Sequence, residues 1–181
     1  MADWGRLARR IRVPLGFVFA AVYIWFAHPS AACITIGTLV ALTGLAIRAF
    51  ASGHVEKNQV LAVSGPYAYT RNPLYLGSIV LAAGFLIAAR SWLVAAIALI
   101  LLVAIYLPVI RSEEAFLRQR FPEFEAYSRQ VPRLLPRLRP HGSSKGSFSW
   151  DLYFKHREYN AALGMLCMTA VLVVKLVWFT K

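Results

Sequence analysis

Charge is scarce in this sequence. Only 15% of its residues are charged and 59% are hydrophobic. A soluble domain of 181 residues would need more charge and shorter apolar runs. Acidic residues are the scarcest charges, 8 against 20 lysines and arginines. There are two cysteines, Cys33 and Cys167, and both lie within apolar runs. That leaves no disulfide framework and no thiolate spacing for a metal, so they read as small packing residues. The four histidines form no HxxxH or HExxH pair, and no metal site is expected. No useful stretch alternates with the period of two that strands require, and no internal repeat is present. A glycine-rich strand–turn–helix signature is also missing, which excludes the usual dinucleotide fold.

What the sequence does have is long apolar runs, with a mean hydropathy of +0.56. A helix needs roughly 20 mostly apolar residues to cross a bilayer. Four runs approach that length, from Val13 to Ala27, Ala31 to Ala51, Pro73 to Ala89 and Trp92 to Ile110, and a fifth runs from Tyr159 to Phe179. The expectation is an all-α polytopic membrane bundle of about five transmembrane helices in a single domain, 1–181. The first run follows basic residues (Arg6, Arg9, Arg10, Arg12), as a secretory leader would. However, only His28-Pro29-Ser30 separates it from the next apolar run, so it reads as half of a helical hairpin.

The net charge of +12 follows the same topology. Arginines and lysines gather in the N-terminal arm, from Arg48 to Arg71, and from Arg111 to Arg157. The opposite side keeps Arg90, Lys181 and a snorkelling Lys175. The positive-inside rule therefore puts the N-terminus in the cytoplasm and the C-terminus outside. The basic balance points to membrane lipids with anionic headgroups as partners, not to nucleic acid. After the fourth run the helix should leave the membrane, stop at Pro122 and give a short amphipathic piece to Arg129. The proline-broken, basic stretch Val131 to Pro140 is expected to lie along the membrane surface, ahead of a Gly/Ser-rich linker, His141 to Ser149.

Two polar segments carry candidate chemistry. In the first, Gly65-Pro66 marks a turn, and Asn72-Pro73 marks a helix start with Asn72 as cap. Such an end favours an anionic group, and Arg71 beside it adds a forked donor. Tyr67, Tyr69 and Tyr75 add aromatic faces for a planar or cationic part. Interfacial tyrosines and arginines also occur as plain membrane anchors, so both readings stand. The second segment is Glu113-Glu114, in a basic neighbourhood where the fourth helix leaves the membrane. Neighbours on a helix point about 100° apart, so only one of the two can face the bundle. The other would meet Arg111, Arg118 or solvent, and a solvated helix end is the competing reading. Arg48 reads as snorkelling to the cytoplasmic face, with the alternative of pointing into the bundle. His54 and Lys57 read as loop residues, and Lys155 to Glu158 as the inner anchor of the last helix.

At these two segments the chain resembles a known family. Gly65-Pro-Tyr-Ala-Tyr-Thr-Arg-Asn-Pro-Leu-Tyr-Leu-Gly77 is similar to the Gly-x-Tyr…Arg-His-Pro-x-Tyr-x-Gly signature of isoprenylcysteine carboxyl methyltransferases. Glu113-Glu-Ala-Phe-Leu117, with Phe121, Tyr127, Val131-Pro132 and Pro136, resembles that family's second signature and the double-Glu motif of phospholipid N-methyltransferases. The likeness covers 48–136, which becomes the expected methyltransferase core. Residues 137–149 are then a linker, and 150–181 an added C-terminal transmembrane helix.

The resemblance implies an integral membrane methyltransferase that uses S-adenosyl-L-methionine and takes a lipophilic or lipidated substrate from the bilayer. By motif position the cofactor contacts fall on Gln59, Val60, Leu61, Ala62, Tyr67, Asn72, Pro73, Leu74, Tyr75 and Glu113, with Arg71 beside them. Asn72 stands where the family has histidine, which removes a histidine base at this position. Gln59 replaces the histidine that begins the four-residue contact run. Val109 replaces the substrate-binding arginine of the carboxyl methyltransferases, and Arg111 is the nearest arginine to it. The acceptor stays open between a prenylcysteine-like carboxylate and an amino lipid. An amine must first lose a proton, and Glu114 is the candidate base. Two other classes remain in view: an NADPH-dependent membrane sterol or enone reductase, and a non-enzymatic membrane subunit. The double Glu opposes the reductase, whose phosphate-rich cofactor would call for Arg or Lys.

Overall fold

The computed structural model describes residues 2–55, 60–142 and 147–179, with residues 2–10, 12, 13 and 179 described by backbone alone. The described residues are all helix, turn and loop. Helix α1 (Ala2–Phe26) and α2 (Ala31–Ser52) form the first hairpin; α3 (Pro73–Ala89) and α4 (Trp92–Arg120) form the second. The short helices α5 (Phe124–Gln130) and α6 (Trp150–Lys155) precede the last long one, α7 (Tyr159–Phe179). Three of these, α2, α4 and α7, are long and apolar enough to cross a membrane, while Pro14–Phe26 and Pro73–Ala89 are shorter apolar helices.

Sequence explains the element ends. Ser30 accepts a hydrogen bond from the Cys33 amide at 3.3 Å and Ser91 one from the Val94 amide at 3.4 Å, so each hairpin turn ends in an N-cap. The α4 helix is continuous through Arg120, as its run of helix formers suggests, but it carries a π turn at Leu102–Tyr106. Pro108 follows that turn. Proline has no N–H and its ring crowds the carbonyl four residues back, and the wider turn relieves that conflict.

The two hairpins are joined mainly through α2 and α3, by glycine. A Cβ built on Gly44 would stand 2.3 Å from the Leu81 amide nitrogen and 2.6 Å from the Gly77 carbonyl. One on Gly37 would stand 2.4 Å from the Gly84 carbonyl. The two backbones therefore touch along an antiparallel seam that has no room for side chains. Without a hydrophobic drive between helices in lipid, such close packing is what holds them together.

At the hairpin-turn end, Tyr23, Ala27, Ile34, Ala88, Ala89, Val94 and Leu172 bury one another. The His28 amide donates to Ala89 O at 2.8 Å, and the Tyr23 hydroxyl to Phe85 O at 2.7 Å. Helix α7 belongs to this bundle. Its Leu172 is buried there, and the Lys175 ammonium donates to the carbonyls of Ile24 and Trp25, which end α1. Lys175 thus serves as a helix-end ligand, not only as the snorkelling side chain read from sequence. Trp25, Trp92 and Trp178 sit exposed around this same end, where aromatic belts meet a membrane interface.

Candidate active site

The opposite end of the bundle gathers both polar segments. Gly65 adopts φ +56°, a left-handed turn residue, and a Cβ there would collide with the His54 ring. The chain then makes one 3-10 turn, Gly65–Ala68, before entering α3. Asn72 occupies the cap position, but its side chain makes no capping bond. Its amide instead donates to Glu114 Oε1 at 3.2 Å and to Arg133 O at 3.1 Å. This corrects the expected cap: the side chain is committed to a contact 42 residues away, which outweighs the local one.

Glu114 is the centre of the cluster. It is 4% exposed, the one of the adjacent glutamates that faces inward, while Glu113 is exposed. Arg133 holds Glu114 Oε2 with Nε at 3.0 Å and Nη2 at 2.7 Å. The Arg71 Nη2 group stands 3.5 Å from Oε1. Both carboxylate oxygens are therefore engaged, by three side chains from two segments, the turn before α3 and the strap. Arg71 Nε is buried without a hydrogen-bond partner among the described residues. The Glu114 hydrogen bond also pushes the Arg133 guanidinium further up from its already high value, although partial burial opposes this.

Sequence reasoning missed Arg133. It lies in the proline-broken strap that was expected to run along the membrane surface. The strap is stitched, antiparallel, to the turn before α3. The His141 amide donates to Ala68 O at 2.9 Å, Arg137 to Tyr69 O at 3.0 Å, and Arg71 to Pro132 O at 2.9 Å. The Thr70 hydroxyl lies 3.1 Å from both Arg133 O and Leu134 O. Prolines at 132 and 136 hold this strap extended, so its carbonyls face the turn. One of three arginines among prolines, Arg133 gives no sequence signal for that pairing.

The remaining expected residues divide. Tyr67 and Pro73 are buried at the site. Leu61 packs under Phe124, Tyr127 and Val131, and Ala62 is half-buried, while Val60 is exposed. Tyr75 turns toward α4, with its ring edge-on to Tyr106 at 5.6 Å, and Leu74 is half-buried. Arg111 is exposed and outside the cluster. Arg118 pairs with Glu125 at 3.0 Å rather than with the double Glu. Gln59 and Lys57 lie outside the described residues. His54, read as a loop residue, lines an apolar groove of about 460 Å³ with Phe50, Tyr69, Pro73 and Leu76. Among the described residues no three His, Cys, Asp or Glu gather as metal ligands would.

A second polar node joins the site. Arg48 points into the bundle and pairs with Glu158, from the segment that leads into α7, with Nη2 at 2.8 Å. This corrects two readings, the snorkelling Arg48 and the plain anchor at Lys155 to Glu158. A partly buried guanidinium gains more from a forked carboxylate than from reaching water.

The Tyr127 hydroxyl donates to Tyr67 O at 2.7 Å and locks α5 under the turn. Burial pushes both phenols well above their ordinary value, helped at Tyr67 by Tyr127, Glu113 and Glu158, and at Tyr127 opposed by Arg71 and helped by Glu114. A phenol that stays protonated in the fold contributes stability below the ordinary tyrosine value of about 10 and loses it as pH rises beyond. Tyr127→Phe should cost about 1–3 kcal/mol at neutral pH. Its thermal midpoint should also fall less steeply than that of the unmodified protein above about pH 10. Parallel slopes in a thermal-melt series over pH would refute the burial of this hydroxyl.

The phospholipid methyltransferase family model matches residues 26–123, just over half of the chain. The cobalt-zinc-cadmium resistance protein CzcN of Cupriavidus metallidurans is 34% identical over 107 residues, 59% of this chain and 48% of the relative. The nickel-cobalt-cadmium resistance protein NccN of Alcaligenes xylosoxydans xylosoxydans is 35% identical over 111 residues, 60% of this chain and 52% of the relative. The chain thus spans about half the length of the curated relatives it matches. No solved structure matches it.

Proposed function

We infer the reaction from one premise: this chain belongs to the phospholipid methyltransferase family. On that premise the protein is a multi-pass membrane methyltransferase that uses S-adenosyl-L-methionine and acts on a lipophilic acceptor. The observation that carries the reading is the junction of the two motif segments, Asn72 to Glu114 at 3.2 Å, beside a buried Arg71 Nε with no hydrogen-bond partner among the described residues.

The residues present suit the cofactor's chemistry. A guanidinium with a spare buried donor fits a carboxylate, and Arg71 with the first turn of α3 is assigned that role. The exposed carboxylate of Glu113 fits an amino group or ribose hydroxyls. Tyr67 offers a ring to the adenine or the sulfonium, and Tyr75 does so from the α4 side. The bound cofactor would supply an electrophilic methyl group on sulfur. The protein's part is then alignment and exclusion of water. Glu114 is assigned first as the brace between segments, because both its oxygens are engaged. Its service as a base to an amine acceptor requires one of those bonds to open, and a carboxylate acceptor needs no base at all. Arg111, exposed at the same helix end, is the group left to meet an anionic acceptor from the membrane surface.

The arrangement in the bilayer belongs to the same reading. The apolar part of α1, Pro14–Phe26, and α3, though short, lie along partners that are long enough to span, giving five crossings. The basic end that holds the site faces the cytoplasm, with the N-terminus. The names of the metal-resistance relatives leave the acceptor unassigned.

Calorimetric titration of the detergent-solubilised protein with S-adenosylmethionine, S-adenosylhomocysteine and NADPH tests this. The two adenosyl compounds should bind saturably and NADPH should not, and Glu113→Ala should abolish the binding. Binding of NADPH alone would point to a reductase. Binding of none by folded protein would point to a non-enzymatic subunit.

A further inference from the structure

The family match ends at residue 123, yet a residue 35 positions beyond it sits against the site. Glu158 receives Arg48 Nε at 3.1 Å on Oε2, and Nη2 at 2.9 Å on Oε1 and 2.8 Å on Oε2. Glu158 is 12% exposed and Arg48 23% in their side chains, so the pair is largely withdrawn from water. The remaining nitrogen of Arg48 turns the other way. It donates to the Ser78 hydroxyl, and it lies 3.5 Å from Leu74 O. Ser78 in turn donates to Leu74 O at 2.9 Å. Arg48 thus bridges Glu158 to the opening turns of α3, the turns that carry Asn72 to Tyr75.

The chain is shaped to deliver this carboxylate. The Ser149 amide donates to Gly53 O at 3.0 Å, and the His156 ring lies 3.1 Å from Ser52 O, so the segment docks on the end of α2. Arg157 then takes φ +54°, a left-handed conformation that non-glycine residues rarely adopt. Strain of this kind persists where surrounding contacts fix it, and it is followed at once by Glu158.

We propose that Glu158 is a positioning residue of the methyltransferase site: by fixing Arg48 it holds the first turns of α3 in the geometry that binds the cofactor. The C-terminal segment is then a working part of this enzyme and not a passive membrane anchor. The inference rests on the reading given under Proposed function.

Lys175 supplies the control. It ties the far end of α7 to α1, away from the site, so Lys175→Met loosens the same helix without touching Arg48. Titration with S-adenosylhomocysteine should show at least ten-fold weaker binding for Glu158→Gln and binding within two-fold of the unmodified protein for Lys175→Met. Glu158→Asp, which keeps the carboxylate, should fall between Glu158→Gln and the unmodified protein, and it serves if the glutamine variant fails to fold. Affinity unchanged in both Glu158 variants overturns the proposal, as does equal weakening in Glu158→Gln and Lys175→Met. If the unmodified protein binds no adenosyl compound, the parent reading falls first and this one with it.

Discussion

Glu114→Ala should be the most damaging single substitution at the site. It removes the acceptor shared by Asn72, Arg71 and Arg133. Breaking a buried ion pair from one side costs about 3–5 kcal/mol, because the partner charge stays behind unpaired. That cost falls mainly on Arg71, whose side chain is 12% exposed and already has one buried donor without a partner among the described residues. Arg133 is 42% exposed and recovers water more easily. The turn and the strap, still stitched to each other, should both loosen from α4, since Asn72 and Arg133 each lose their bond to Glu114. The expected result is a thermal midpoint lowered by many degrees in detergent, with loss of S-adenosylhomocysteine binding. Arg133→Ala should be milder in both readouts. Equal midpoints for Glu114→Ala and the unmodified protein would mean that the cluster contributes nothing to the fold.

Gly44→Leu should be as severe, for a reason that involves no charge. The new side chain would have to occupy space already held by the backbone of Leu81 and Gly77. Inserting atoms into a packed core typically costs about 1–3 kcal/mol when side chains can move aside. Here the obstruction is backbone, so α2 and α3 must separate. That would pull Arg48 away from Ser78 and Leu74, one helical turn nearer the site. Gly44→Leu should therefore give little folded protein on size exclusion, and Gly44→Ala should give a clearly lowered midpoint. Gly164→Ala is the matched control, because a Cβ there meets nothing within 4 Å. It should leave the midpoint unchanged or slightly raised, as alanine favours helix over glycine. A Gly44→Leu protein as stable as the Gly164→Ala one would refute the backbone seam.

The sequence by itself determined the helices and the two polar segments. Hydropathy is a local property, and runs such as Trp92 to Ile110 can satisfy their backbone in lipid only as helix. The hairpin turns follow local chemistry, since Ser30 and Ser91 each cap the helix that begins beside them within three residues. Tyr67, Arg71, Asn72 and the pair Glu113-Glu114 were legible as a set because their types and order form a signature. Which glutamate faces inward was not. Helical periodicity allows either one, and only the positions of Asn72 and Arg133 chose Glu114.

Tertiary structure alone decided the partners. Arg133 and Glu158 lie 19 and 110 residues from the groups they hold, and nothing in their neighbourhoods announces it. The same holds for Gly37, Gly44 and Gly84, which read in sequence as ordinary members of apolar runs. Their meaning appears only when two backbones meet. A charge far along the chain finds its counter-charge through packing, because an unpaired ion cannot stay buried. Local physics fixed where the helices are, and the need to pair buried charges and to close a seam without side chains fixed how they assemble.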